Sequence, residues 1–227
     1  MSADLRLVIF DVDGTLVDSQ GDILAAMAVG FDAVGEEMPA REAVLGIVGL
    51  SLDVAVARLV PHLPGEVRAE IVEAYKAAYM GLRVEQGVAA SSPLYPGARE
   101  TLDRLRGVPE VLLGVATGKS ARGLMKLIEG HALDGYFVTR QVADHHPSKP
   151  HPAMLRAALA ETGVAPENAV MVGDTSYDME MARAAGIRGI GVTWGYHRPG
   201  ALGAAGCLVR DFDDLAARLA EDWRAWA

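Results

Sequence analysis

Asp11-Val12-Asp13-Gly14-Thr15-Leu16-Val17-Asp18-Ser19 follows directly on the apolar run Leu5-Arg6-Leu7-Val8-Ile9-Phe10. The run carries one early charge and otherwise reads as a buried strand. Asp11 and Asp13 then fall at the carboxyl end of that strand, where open α/β sheets place their ligands. In an extended chain, residues i and i+2 point the same way. One carboxylate can attack while the other moves a proton, or the pair can hold a metal. Gly14 lets the chain turn sharply and Thr15 can hydrogen-bond locally. An ordinary acidic turn has the same appearance in isolation, so the rest of the chain decides.

Outward from this stretch, two more apolar runs end in polar residues. Val111-Leu112-Leu113-Gly114-Val115-Ala116 leads into Thr117-Gly118, and Val170-Met171-Val172 leads into Gly173-Asp174-Thr175-Ser176-Tyr177-Asp178. Between them lies Ser148-Lys149-Pro150. From about Leu94, strand and helix patterns alternate. Helices are expected from Pro96-Gly97 to Arg106, Lys119 to Glu129, Pro152 to Thr162, Tyr177 to Ala185 and Asp213 to Trp226. Strands are expected at Val111–Ala116, Tyr136–Val138, Val170–Val172, Ile187–Val192 and Cys207–Val209. Such alternation implies a parallel sheet wrapped by helices. From Val17 to Ala90 the periodicity is helical throughout, over Ile23–Val34, Arg41–Val48, Leu52–Val60 and Val67–Val84, punctuated by Pro39, Pro61 and Pro64.

The four polar stretches, in this order, resemble the motifs of the haloacid dehalogenase superfamily of phosphohydrolases, and the resemblance covers essentially the whole chain. It implies a Rossmann-like α/β core at residues 1–16 and 91–227, with an all-helical cap domain inserted at 17–90. It also assigns roles that spacing alone leaves open. Asp11 becomes the nucleophile that forms an aspartyl-phosphate, and Asp13 the general acid and then base. Spacing by itself allows the reverse order, or a pure metal site. Thr117 and Gly118 would hold the transferring phosphoryl group, and Lys149 would neutralise the aspartate and phosphoryl oxygens. Asp174 would ligate Mg²⁺ together with Asp11 and the backbone carbonyl of Asp13, with Asp178 supporting that site. Hard oxygen donors of this kind suit Mg²⁺. True dehalogenases usually lack an acid at the position of Asp13, because a halide leaves without a proton, so Asp13 favours phosphoryl transfer.

Composition sets the outer bounds. A chain of 227 residues with 51% hydrophobic and 22% charged residues can bury a full globular core. Its net charge of -9 argues against a nucleic-acid or membrane partner, which prefers a basic face. No apolar stretch is long enough to span a bilayer, and Met1-Ser2-Ala3-Asp4 lacks a secretory signal pattern. With Cys207 as the single cysteine, no intrachain disulfide can form, and a cytoplasmic setting is expected. His145, His146 and His151 flank Lys149, but their spacing fits no common zinc pattern.

Leu94-Tyr95-Pro96-Gly97, Gly173-Asp174-Thr175 and the cap stretch Val48-Gly49-Leu50-Ser51-Leu52 are similar to the phosphoglycolate phosphatase subgroup. A small phosphorylated metabolite, with 2-phosphoglycolate first, is therefore the expected substrate. Leu50, Ser51 and Leu52 are expected to face it, and Arg58 to offer a substrate carboxylate a partner. Neighbouring subfamilies with the same core hydrolyse pyrophosphate, sugar phosphates or nucleotides, and these are the alternatives. Phosphomutase caps commonly carry an arginine soon after the glycine, where this chain has Leu52 and Asp53. A non-catalytic phosphate-binding regulator would need a broken site, and none of the expected positions is missing.

Overall fold

The computed structural model describes residues 5–225. The expected absence of a leader at Met1–Asp4, and the helix end at Trp226, lie outside the described residues. Strand β1 (Arg6–Phe10) leads into the acidic turn. Helices α1 (Gln20–Asp32), α2 (Arg41–Leu45), α3 (Leu52–Leu59), α4 (Gly65–Gln86) and the short α5 (Val88–Ser91) follow. The chain then alternates: α6 (Ala98–Arg106), β2 (Val111–Thr117), α7 (Ala121–Gly130), β3 (Thr139–Val142), α8 (Ala153–Thr162), β4 (Ala169–Gly173), α9 (Ser176–Ala185), β5 (Arg188–Val192), β6 (Cys207–Val209) and α10 (Phe212–Ala225).

The six strands form one sheet in the order β3-β2-β1-β4-β5-β6, and every pairing is parallel. Parallel sheets bury both faces, so their strands read as continuous apolar runs rather than alternating ones. Leu7, Val8, Ile9 and Phe10 of β1 are all fully buried, each contributing about 1.5–3 kcal/mol of burial. Val8 and Phe10 face one apolar cluster with α6, α7 and α10, while Leu7 and Ile9 face another with α8 and α9. The chain order reverses between β1 and β4, so their carboxyl ends open the crevice in which such sheets bind ligands. Asp11 and Asp174 lie at those two ends.

Helices α1 to α4 share an apolar cluster of their own, built on residues such as Met27, Phe31, Val56 and Ile71. The four helices expected in this stretch are therefore present, with their ends shifted by a few residues. Two readings need correction. The expected strand Tyr136–Val138 is displaced to Thr139–Val142. Val138 is exposed while Thr139, Gln141 and Val142 are buried, so the paired segment is the one whose side chains are enclosed. Helix α7 begins at Ala121 rather than Lys119, because Ser120 is its N-cap and accepts a hydrogen bond from Gly123 N–H.

Candidate active site

The carboxyl ends of β1, β2 and β4 converge on one polar centre. Asp11 donates its backbone N–H to Val172 O at 2.9 Å, which fixes the end of β1 against β4. The Asp11 side chain is almost fully buried, and neither of its oxygens has a hydrogen-bond partner among the described residues. Lys149 Nζ lies 2.8 Å from Asp11 Oδ1, close enough for an ionic contact although the angle is not that of a hydrogen bond. The same ammonium donates to Asp178 Oδ1 at 2.6 Å. Lys149 is thus a buried cation between two carboxylates rather than a solvated loop charge.

Asp178 is committed further. Its Oδ2 accepts hydrogen bonds from Thr175 N–H at 3.1 Å and Thr175 Oγ1 at 2.7 Å, and Thr175 returns the cap to Asp178 N–H. This capping box starts α9 and fixes the direction of the Asp178 carboxylate toward Lys149. Asp174 accepts from Thr15 Oγ1 at 3.0 Å and from Tyr196 N–H at 2.8 Å. Gly14 has a φ of +85°, and a Cβ there would lie 2.2 Å from Asp174 Oδ2. Only glycine fits, both for the turn and for the close approach.

Asp11, Asp174 and Asp178 each bring an oxygen within 4.8 Å of the others. Burial pushes the Asp11 carboxyl up to about 7; Lys149 opposes that shift and the Asp178 charge adds to it. Burial, and then the Asp11 and Asp178 charges, also push Asp174 well above the usual carboxylate range. Burial works against the Lys149 charge, yet Asp11 and Asp178 together raise its proton affinity. Three clustered carboxylates, of which two meet the one ammonium, leave an excess of negative charge out of water. A hard divalent cation fits that donor set, and the unbonded Asp11 oxygens are the atoms left open to it. The histidines near Lys149 are used otherwise: His146 pairs with Gln141 Oε1 at 2.7 Å, and His151 Nδ1 accepts from Ala153 N–H at 3.2 Å.

Asp13 points to the other side of the centre. Lys119 Nζ donates to both of its oxygens, at 2.6 and 2.7 Å, and Ser19 Oγ donates a short hydrogen bond to Oδ1. Burial would raise the Asp13 carboxyl, but the Lys119 ammonium and the Ser19 hydroxyl hold it below the usual range. Lys119 escaped the sequence reading because it was assigned to a helix. With α7 starting two residues later, it is free to reach Asp13. Thr117 ends β2 and is buried; its Oγ1 accepts from Lys119 N–H at 3.2 Å.

Beyond Asp11 and Asp13 lies a chamber of about 730 Å³ between the sheet and the inserted helices. Thr117, Gly118, Leu50, Ser51 and Leu52 all line it, as expected. Asp174, Asp178 and Lys149 stand behind Asp11 and are not part of its wall. Arg58 is not part of it either. Its guanidinium lies 5.2 Å from the centroid of the Tyr177 ring, a cation–π contact, so the expected role toward a substrate carboxylate is not supported by its position. The helical insert rests directly on the core. Ser51 N–H donates to Ser148 Oγ at 2.9 Å, and Tyr177 OH donates to Gly46 O at 2.8 Å. Arg83, Tyr75 and Tyr79 of α4 also line the chamber and were absent from the sequence reading.

Residues 8–192 match the family model of the haloacid dehalogenase-like hydrolases. A Dickeya dadantii protein named "Probable phosphatase IndB" is 38% identical over 202 residues, covering 88% of this chain and 86% of the relative. The phosphoglycolate phosphatase of Mannheimia succiniciproducens is 30% identical over 228 residues, covering 95% and 98%. Among solved structures, a hydrolase from Pseudomonas syringae superimposes with a TM-score of 0.83 at 26% identity, covering 95% of this chain and 98% of that one.

Proposed function

The chain belongs to the haloacid dehalogenase-like hydrolases, and from that premise we propose that it is a magnesium-dependent phosphatase acting on a small phosphomonoester through an aspartyl-phosphate. The observation that carries this reading is the Asp11 carboxylate: buried, with both oxygens free of hydrogen bonds, and beside the buried Lys149 ammonium. Burying an unbonded carboxylate is costly, and a nucleophile awaiting an electrophile is the use that explains it. Residues 1–16 and 91–227 form the catalytic core of this reading, and 17–90 its cap. Among the described residues no helix is long and apolar enough to cross a membrane, and the single cysteine suits a cytoplasmic setting.

In the first step an Asp11 oxygen attacks phosphorus, and the bond from phosphorus to the leaving oxygen breaks. Asp13 gives that oxygen a proton. A dianionic phosphate arriving beside Asp13 raises its proton affinity, because a like charge disfavours the ionised carboxyl. In the second step Asp13, again ionised and steadied by Lys119 and Ser19, takes a proton from water. The water attacks phosphorus, and Asp11 and inorganic phosphate are released. Lys149 balances the Asp11 charge throughout, and Thr117 offers a hydroxyl to the phosphoryl oxygens. Mg²⁺ held by Asp11, the Asp13 carbonyl and Asp174, with Asp178 supporting, would neutralise phosphoryl charge.

Several relatives carry the name phosphoglycolate phosphatase, which makes 2-phosphoglycolate the first candidate substrate by similarity. The test of the reaction class is Mg²⁺-dependent release of phosphate from p-nitrophenyl phosphate by purified protein. The wild type should turn over, and Asp11→Asn should not. Hydrolysis that survives excess EDTA, or an active and folded Asp11→Asn, would contradict the mechanism.

A further inference from the structure

Two tyrosines stand one helical turn apart on α4, with stacked rings 5.6 Å between centroids. Their hydroxyls have opposite fates. Tyr79 OH receives Lys119 Nζ and Arg83 Nη2, each at 3.1 Å. Both cations also lie over its ring, at 5.3 Å for Lys119 and 4.7 Å for Arg83. Tyr79 is therefore held in place as the acceptor of both cations. Tyr75 OH has no hydrogen-bond partner among the described residues, although Tyr75 lines the chamber. Burial, with the Tyr79, Asp13 and Asp22 charges behind it, raises its proton affinity, so the phenol stays a donor. Tyr75 is half-buried, so its hydroxyl is left to meet solvent or a bound molecule in the chamber.

The size of the chamber bears on what that something is. The cap already rests on the core: Gly118 packs against the Leu50 and Gly49 backbone, and Ser51 and Tyr79 bond to core residues. With these contacts made, about 730 Å³ remains, within the ~300–1,000 Å³ typical of sites for drug-sized ligands. Met27, Val72, Met80 and the two tyrosines give it an apolar and aromatic wall. A two-carbon acid would leave most of that wall wet.

We propose that the chamber takes a phosphomonoester whose leaving group is a ring system of nucleoside size, and that Tyr75 is the specificity-determining residue, donating its hydroxyl proton to an oxygen or nitrogen acceptor on that group. The proposal rests on the phosphatase reading and refines its substrate. Tyr79, clamped by Lys119 and Arg83, serves as the rigid wall against which the ring packs, and Tyr75 supplies the directional contact. Such a donor discriminates because a ring that fills the chamber without an acceptor would cover the hydroxyl and leave it unpaired.

The experiment compares kcat/KM for nucleoside 5′-monophosphates (adenosine and uridine) with that for 2-phosphoglycolate. All three are esters of primary alcohols, so the ratio reads the chamber more than leaving-group chemistry. The wild type should favour at least one nucleotide by about tenfold or more, and Tyr75→Phe, which removes one oxygen, should narrow that ratio about tenfold. Met80→Trp, at the partly exposed wall, should narrow it as well by filling the space. A wild type that prefers 2-phosphoglycolate overturns the proposal, as does a Tyr75→Phe that lowers every substrate by one factor. Failure of the phosphatase reading looks different: no substrate is hydrolysed with Mg²⁺, p-nitrophenyl phosphate included.

Discussion

Lys119 Nζ holds both carboxylate oxygens of Asp13, at 2.6 and 2.7 Å. The contact joins the residue after Gly118 to the proposed acid and base, and it is nearly dry on both sides. The ammonium is what keeps Asp13 below its ordinary proton affinity. Lys119→Met should therefore raise the Asp13 pKa. The base form would be lost at a higher pH, so the acid limb of the kcat profile should move to higher pH. The rate near neutrality should fall by roughly ten- to a hundredfold, toward the lower part of what general acid–base groups contribute. A pH–rate profile identical to wild type would return Lys119 to a purely structural role.

Asp174 and Asp178 should separate in their effects. Asp174 is bonded by Thr15 and Tyr196 and has no cation beside it among the described residues, whereas Asp178 is paired to Lys149 and capped onto Thr175. In the wild type, saturating Mg²⁺ should raise Tm, since a ligand of the native state alone stabilises it. Asp174→Asn should abolish that rise with little loss of stability in EDTA, because it removes a crowded negative charge. Asp178→Asn should cost about 3 kcal/mol in EDTA, because it strips a buried ammonium of one partner. Thermal scans of both variants, with and without Mg²⁺, decide the assignment, and reversed behaviour would exchange the two roles.

Gly118 sets how closely the cap can approach. A methyl group there would lie 2.5 Å from Leu50 O and 2.6 Å from Gly49 O, both backbone atoms that cannot rotate away. Gly118→Ala should hold the cap off the core while leaving the sheet intact. Turnover should drop by more than about tenfold, since water exclusion and positioning both depend on closure. Tm should change by only a few degrees. A crystal structure of Gly118→Ala with the Ser51–Ser148 contact still in place would count against this.

His197 bridges the two parts of the molecule. Its Nε2 lies 3.2 Å from Gly46 O, and its Nδ1 accepts from Ser176 N–H at 3.2 Å. The neutral ring with a proton on Nε2 satisfies both. Burial lowers its proton affinity below the ordinary 6.5, despite the carbonyl that favours a charged ring. The unfolded chain then binds more protons than the fold, so stability is full above that value and is lost as pH falls through and below it. The raised Asp11 and Asp174 carboxyls work the other way over the same window, gaining stability as pH falls. The His197 effect is therefore read as a difference: the Tm of the wild type relative to His197→Gln should fall between about pH 7 and pH 5, and a difference that does not change with pH would remove His197 as a source of pH dependence.

The strands and the acidic centre were legible because they are local. Leu7 to Phe10 and Val170 to Val172 are unbroken apolar runs, and Asp11, Asp13, Asp174 and Asp178 follow their ends directly. The displaced third strand was not legible. Tyr136 and Phe137 look more strand-like than Thr139 and Arg140, and only the pairing with β2 decides. Lys119 was hidden by a shift of two residues in a helix start. Tyr75, Tyr79 and Arg83 were hidden because a helical insert reveals an apolar face without revealing what that face meets. The place of Arg58 was hidden for the same reason: the ring it lies over, Tyr177, comes from the far end of the chain.

The first strand lies in the middle of the sheet, and that imposes an order on synthesis. Arg6 pairs with Val111 and Leu7 with Ala169, so both neighbours of β1 emerge from the ribosome long after it does. Closing such long loops is slow and carries a large entropy cost. The inserted helices need no such wait, because Gly30 of α1 already meets Ile71 of α4. A nascent chain halted before Ala169 would therefore carry a finished cap beside a strand with one open apolar edge. Leu7 to Phe10 should then stay uncovered until β4 arrives, and stalled chains should aggregate through that segment.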